Sequence, residues 1–318
     1  MQFTRLGRTG VEVSVAGLGC GGHSRLGMAR GASVNEAADL VRRAIDLGIT
    51  LIDTATIYGT EEAVGRGIVG QDRSRLFLST KSWVGRGGAE TKPERYSAAE
   101  FAANLDSSLR RLGTDYVDLW HLHGVSLDQL GYARQVLLPE MRRQQQAGKI
   151  RFIGITEVFR HDTAHAMLQA ALPTGEFDVA MVGFNLLNPG ARNTVFPLAM
   201  RHDVGTLIMF AVRRALNSPA NAREAIAELI ARHEVDPVLI DRENPLGFLE
   251  ATPSVRSQIE AAYRFARHEP GAHVVLTGTG SAAHLEENVA AILAPPLPAE
   301  TLARLEAIFG TVTSASGD

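Results

Sequence analysis

Short apolar runs that read as strands alternate with amphipathic stretches that read as helices, about eight times along the 318 residues. The strand-like runs are AGLGC (16–20), TLIDTA (50–55), LFLSTK (76–81), YVDLWHLH (116–123), RFIGIT (151–156), DVAMVGF (178–184), TLIMFAV (206–212) and AHVVLTG (272–278). Strands that are apolar almost throughout and separated by helices belong to a parallel sheet covered on its faces. Eight such units predict a closed (β/α)8 barrel, an α/β fold that routinely runs to about 250 residues or more as one domain. One domain over 1–318 is therefore expected. The N-terminal MQFTRLGRTGVEVSV reads as a β-hairpin ahead of the first barrel strand. A doubly wound sheet would carry GxGxxG after its first strand. GLGCGGH (17–23) is glycine-rich but lacks that motif's helix.

Among the helices, NEAADLVRRAIDLG repeats its apolar residues at helical spacing, and SAAEFAANLDSSLRRLG opens on Ser97 with Glu100 three residues on, the pattern of a capping box. Pro197 interrupts the stretch 191–203 unless it lies in a first turn. The loop 83–96 and the region 213–250 are long and polar, and in a barrel the loops after strands build the site.

Other features narrow the function classes. The net charge is −3 with no long run of either sign, which gives no basis for nucleic-acid or anionic-membrane binding. The lone Cys20 excludes an intramolecular disulfide, and no stretch approaches the ~18 apolar residues of a membrane span. A soluble cytoplasmic protein, monomeric by default, is expected. The histidines show no metal-ligand spacing, so no metal is expected.

Ionisable residues fall at the C-terminal ends of three consecutive strands, where barrels place chemistry. Asp53 ends one, Tyr58 lies five residues on, Lys81 ends the next and His123 the third. Singly, each has a structural reading as a cap or a core residue; four on one rim point to a site. Reduction of a carbonyl by hydride needs a proton for the developing alkoxide. Tyr58 is the candidate acid, Lys81 its modulator, Asp53 the anchor of the lysine and His123 the donor to the carbonyl oxygen. His121, two residues earlier, faces the same side one pleat lower and reads as structural.

The chain resembles the aldo-keto reductases over essentially its whole length, through LGRTGVEVSVAGLGCGG, IDTATIYG, LSTK, SLRRLGTDYVDLWHLH and GKIRFIGIT. The resemblance implies that Asp53, Tyr58, Lys81 and His123 form the catalytic tetrad, with the spacing from Asp118 selecting His123. It further implies a nicotinamide cofactor, NADP(H) ahead of NAD(H), and a small carbonyl or alcohol substrate. The positions matching the family's carboxamide ligands, usually Ser-Asn and Gln, read Thr156, Glu157 and Met181; Met181 cannot supply a glutamine's donor. Phe210 matches the aromatic residue that stacks on the ring, and Asn185 lies nearby. Gly278, Thr279, Gly280 and Ser281 match the cradle for the adenosine phosphate at a helix start, with Asn288 toward the adenine. The family's two cations at the 2′-phosphate fall on Gly278 and His284, and Arg213 and Arg214 offer charge nearby. Trp83 and Cys20 are candidate walls of the substrate pocket, with Trp120 a weaker one.

Two other classes fit parts of this pattern. A barrel lyase would use Lys81 as a Schiff base, which a neighbouring Asp53 disfavours. A cofactor-bound regulatory or binding module of the same fold would bind nucleotide without turning it over.

Overall fold

The computed structural model describes residues 1–87 and 94–318; part of the predicted 83–96 loop thus lies outside the described residues. Strands β1 (Phe3–Arg5) and β2 (Glu12–Ser14) pair antiparallel as the predicted hairpin. Eight strands follow: β3 (Ala16–Gly19), β4 (Leu51–Asp53), β5 (Phe77–Trp83), β6 (Val117–Val125), β7 (Ile150–Glu157), β8 (Val179–Gly183), β9 (Gly205–Met209) and β10 (Val274–Thr277). They run in sequence order round a closed barrel in which β10 pairs parallel with both β9 and β3.

The period of two along each strand divides the apolar residues between two cores. Leu51, Phe77, Leu119, Val179, Leu207 and Val274 turn inward and pack with Leu6 and Val13 of the hairpin. The hairpin thus closes the N-terminal end of the barrel, pinned there by Arg8, whose backbone and side chain reach the carbonyls of Asp203 and Gly175. The outward residues form the larger core beneath the helices.

Local signals set the helix starts. Ser97 caps helix Ala98–Leu112, and Glu100 returns the bond to the Ser97 backbone, as its spacing predicts; Ser33 and Glu36 repeat the device at helix Val34–Asp46. Pro197 lies in the first turn of Phe196–Arg201, so the stretch 191–203 splits into two short helices. The strand expected over 206–212 ends at Met209, because Phe210 takes a left-handed φ of 68° and turns the chain out of the sheet. A further helix, Ala299–Phe309, forms in the tail that the sequence leaves unassigned. Among the described residues no helix is long and apolar enough to cross a membrane.

Candidate active site

Asp53, Lys81 and His123 share the inward parity of their strands, so they line the barrel wall at its C-terminal end. Register sets their heights: Asp53 stands opposite Ser79, Lys81 opposite His121, and Trp83 opposite His123. Ser79 lies two residues before Lys81 on the same face, a relation readable from period two that the sequence analysis passed over. Its hydroxyl donates to Asp53 Oδ1 at 2.7 Å. Lys81 Nζ donates to Asp53 Oδ2 at 2.6 Å and to the Thr54 carbonyl at 2.7 Å, and both side chains of the pair are buried.

Tyr58 comes from a single 3-10 turn, Thr56–Tyr58, after β4. Thr56 holds that turn by donating to the Lys81 carbonyl at 2.9 Å. The Lys81 ammonium lies 4.9 Å from the Tyr58 ring centroid, and the Tyr58 hydroxyl stands 3.4 Å from His123 Nε2. The two rings meet edge to face. On its other side Tyr58 packs on Gly21, where a Cβ would come within 2.6 Å of the ring. The four predicted catalytic residues therefore converge on one point.

Burial governs their protonation. It pushes the Lys81 pKa down, but the Asp53 charge, Tyr58 and the hydrogen bond outweigh it and hold the ammonium above the ordinary lysine value. Burial lifts the Asp53 carboxyl, against the pull of Lys81 and Ser79. Burial first, and Lys81 second, press His123 well below its ordinary range, so its imidazole is neutral at pH 7. Tyr58 departs from expectation: Lys81 does draw its pKa down, yet burial outweighs that pull and the phenol sits above its ordinary value.

A cleft of about 840 Å³ runs from Asp53 and Tyr58 past Met181 and Phe210 to Gly278, Thr279, Gly280, His284 and Asn288. Arg213 and Arg214 line its middle, and Ser281 lines an adjoining recess. The volume suits a cofactor-sized ligand. At its far end a Cβ on Gly278 would come within 2.7 Å of the Gly19 carbonyl, and one on Gly280 within 2.6 Å of Gly27, so only glycines allow this close approach. Ser281 caps helix Ala282–Leu293, and Asn288 Nδ2 donates to Thr277 Oγ1 at 2.9 Å. Arg30 and Arg256, which the sequence analysis did not single out, also line this end.

Several expected site residues have other partners. Glu157 has the outward parity of β7 and lies buried behind the wall. Its Oε1 accepts from the Gly183 backbone at 2.7 Å, and both its oxygens lie within 3.1 Å of His165 Nδ1. Thr156 is buried too, and its Oγ1 accepts from the Gly124 backbone N–H. Asn185 turns its amide to the Ser316 carbonyl and the backbone of Leu187. None of these three lines the cleft. Cys20 is fully buried beside Asp53 and does not line the cleft, and burial drives its thiol pKa far up. Trp120 is buried against Phe101, with its indole N–H on Ser82. Trp83 remains half-exposed, 6.1 Å from the His123 ring.

Comparison with known proteins places the chain in a family. Residues 18–309 match the aldo/keto reductase family. The chain is 27% identical to L-galactose dehydrogenase of Arabidopsis thaliana over 98% of its length and 95% of that protein. It is 30% identical to the aldo-keto reductase YhdN of Bacillus subtilis, over 90% of this chain and 87% of the relative. The fold superposes on aldo-keto reductase AKR11C1 of Bacillus halodurans in its holo form with a TM-score of 0.74 at 24% identity, covering 99% and 97% of the two chains.

Proposed function

The chain belongs to the aldo/keto reductase family, and from that premise we propose that residues 1–318 form one catalytic unit. It interconverts a small aldehyde or ketone, or a sugar lactol, with the corresponding alcohol, using NADP(H) ahead of NAD(H). One observation carries the reading. The Asp53-bound ammonium of Lys81 lies beneath the Tyr58 ring, whose hydroxyl stands 3.4 Å from a neutral His123 at the inner end of a cofactor-sized cleft. The plant relative's name, a sugar dehydrogenase, keeps lactols among the substrates to be tried.

The cofactor, when bound, supplies or accepts the hydride. Met181 and Phe210 line the cleft beside the tetrad and would hold the nicotinamide end; Gly278–Ser281, His284 and Asn288 would hold the adenosine end. Arg30 there would supply positive charge that the family's usual cation positions lack in this chain, which supports the 2′-phosphate, while the neighbouring Arg256 is paired with Glu260. At the reacting end, His123 donates a hydrogen bond to the carbonyl oxygen and polarises it. Tyr58 then delivers its phenolic proton to the developing alkoxide. A phenol above its ordinary pKa stays protonated until that moment, and the Lys81 ammonium stabilises the phenolate left behind. Asp53 keeps that ammonium charged and aimed.

Tyr58→Phe tests the reading. Fluorescence titration with NADPH and NADH should give nearly unchanged affinities, while turnover across a panel of aldehydes and lactols is lost. Retained turnover in the variant would contradict the assignment of the acid. Nucleotide binding without turnover in the wild type would turn the reading to a binding module.

A further inference from the structure

Three loops at the mouth of the barrel converge on a carboxylate that the chemistry above does not use. Beyond helix Ala299–Phe309 the chain runs back across the mouth. Val312 is fully buried, the Ala315 and Ser316 carbonyls accept from the amides of Asn188 and Asn185, and the Gly317 carbonyl accepts from the Ala215 N–H at 3.0 Å. The Asp318 side chain then stands 3.5 Å from Arg213 Nε, 3.5 Å from Arg160 Nε and 3.6 Å from His23 Nε2. His23 follows β3 and Arg160 follows β7, four strands apart in a ring of eight and therefore on opposite sides of the barrel. A group within reach of both lies over the barrel axis, above the tetrad.

Arg213 links this point to the reacting centre. Its guanidinium lies 3.9 Å from the Phe210 ring centroid, and its Nη1 would be 3.3 Å from a Cβ on Gly22, next to the Gly21 that carries the Tyr58 ring. Residue spacing thus puts Arg213 within about 11 Å of Tyr58. Contacts of about 3 Å at each end leave at most roughly 5 Å, so the chain that joins the two groups is short, of no more than about five carbons. The Asp318 contacts exceed the ~2.7–2.9 Å of a direct charge-assisted hydrogen bond. The carboxylate therefore faces two guanidiniums and an imidazole without being locked to them.

We propose that Arg213, Arg160 and His23 form a subsite for the carboxylate of the substrate, and that Asp318 fills it until such a substrate binds. The preferred substrates are short aldehydes or ketones bearing a carboxylate at the far end. This rests on the oxidoreductase reading above.

The test compares kcat/KM for succinic semialdehyde with that for butanal, which lacks the carboxylate. The wild type should favour the acid at least tenfold. Arg160→Leu should reduce that ratio about tenfold, and Asp318→Asn, which removes the competing charge, should raise it several-fold. A ratio near one that no variant moves would overturn the subsite. So would an Arg213→Met variant that loosens coenzyme binding with the ratio intact, which would give Arg213 to the pyrophosphate. A lowered melting temperature in Asp318→Asn with an unchanged ratio would make Asp318 a fixed clasp and overturn it equally. Calorimetric titration with succinate separates the two readings. Binding that tightens in Asp318→Asn and fails in Arg160→Leu supports the subsite even without turnover, and absence of binding refutes it even if butanal is reduced.

Discussion

The Lys81–Asp53 pair allows a quantitative test of what holds the site together. Both side chains are buried, and each keeps one further hydrogen bond when its partner is removed: Asp53 from Ser79, Lys81 to the Thr54 carbonyl. Removing one member of such a pair leaves an uncompensated buried charge and costs about 3–5 kcal/mol, whereas removing both leaves none. Asp53→Asn and Lys81→Met should therefore each destabilise strongly, and the double variant should be no worse than either. An unfolding entropy of about 2.1 cal/mol/K per residue gives about 0.7 kcal/mol/K for the 318-residue chain, so each single change lowers the melting temperature by roughly 4–7 °C. The pH dependence supplies a second readout. Burial already lifts the folded-state pKa of Asp53, and Lys81→Met removes the ammonium that opposes the lift. A raised carboxyl pKa favours the folded state below the unfolded value near 3.9 and loses that contribution as pH rises through the folded value. The deficit of Lys81→Met should thus shrink on acidification. Thermal and urea unfolding of the four proteins provide the assay. Destabilisations that add within about 0.5 kcal/mol would refute the argument, because additivity means the two charges do not depend on each other.

Three further outcomes are expected. Gly21→Ala, which touches no catalytic side chain covalently, forces a Cβ to within 2.6 Å of the Tyr58 ring; displacement of the acid by even 1 Å should lower kcat by about 10²-fold, and an unchanged kcat would show that the ring position is not critical. His121 is fully buried with its pKa pressed well down by burial, then by Lys81 and His123, so the folded protein holds it neutral while the unfolded chain protonates it below about pH 6.5. Stability therefore falls as pH drops through that value, and urea unfolding should show His121→Leu losing about 1.4 kcal/mol less per pH unit than the wild type; parallel curves would contradict this. Glu157→Gln weakens a buried carboxylate's bonds to His165 and the Gly183 backbone and should cost about 1–3 kcal/mol in urea unfolding, with coenzyme affinity unchanged because Glu157 faces away from the cleft; a large rise in coenzyme Kd would restore it to the cofactor site.

The convergence of Asp53, Lys81 and His123 on one rim was legible because parity and strand ends are local properties. Asp53, Lys81 and His123 each end or nearly end an apolar run, and period two alone puts them on the inner wall. The capping boxes, the hairpin and the eight-fold alternation are local in the same sense. Two of the carboxamide positions, Thr156 and Glu157, stand apart from the cleft, which the resemblance did not show because it supplied residues without their partners. Glu157 carries the outward parity of β7, and Thr156 has the inward parity but accepts from Gly124, 32 residues away. Phe210 ends its strand through a left-handed φ that its apolar neighbours do not announce.

The order of apolar and polar residues along each segment therefore determined the barrel and the wall on which its chemistry stands, since backbone hydrogen bonding and alternation act between near neighbours. Tertiary structure alone decided which polar atoms remain free. The pKa of Tyr58 follows from how deeply the surrounding loops bury it. The meeting of Asp318 with Arg160, Arg213 and His23 joins residues up to 295 positions apart, by the difference between 318 and 23. Desolvation and long-range charge pairing depend on distances in space, which chain closure sets and sequence spacing does not.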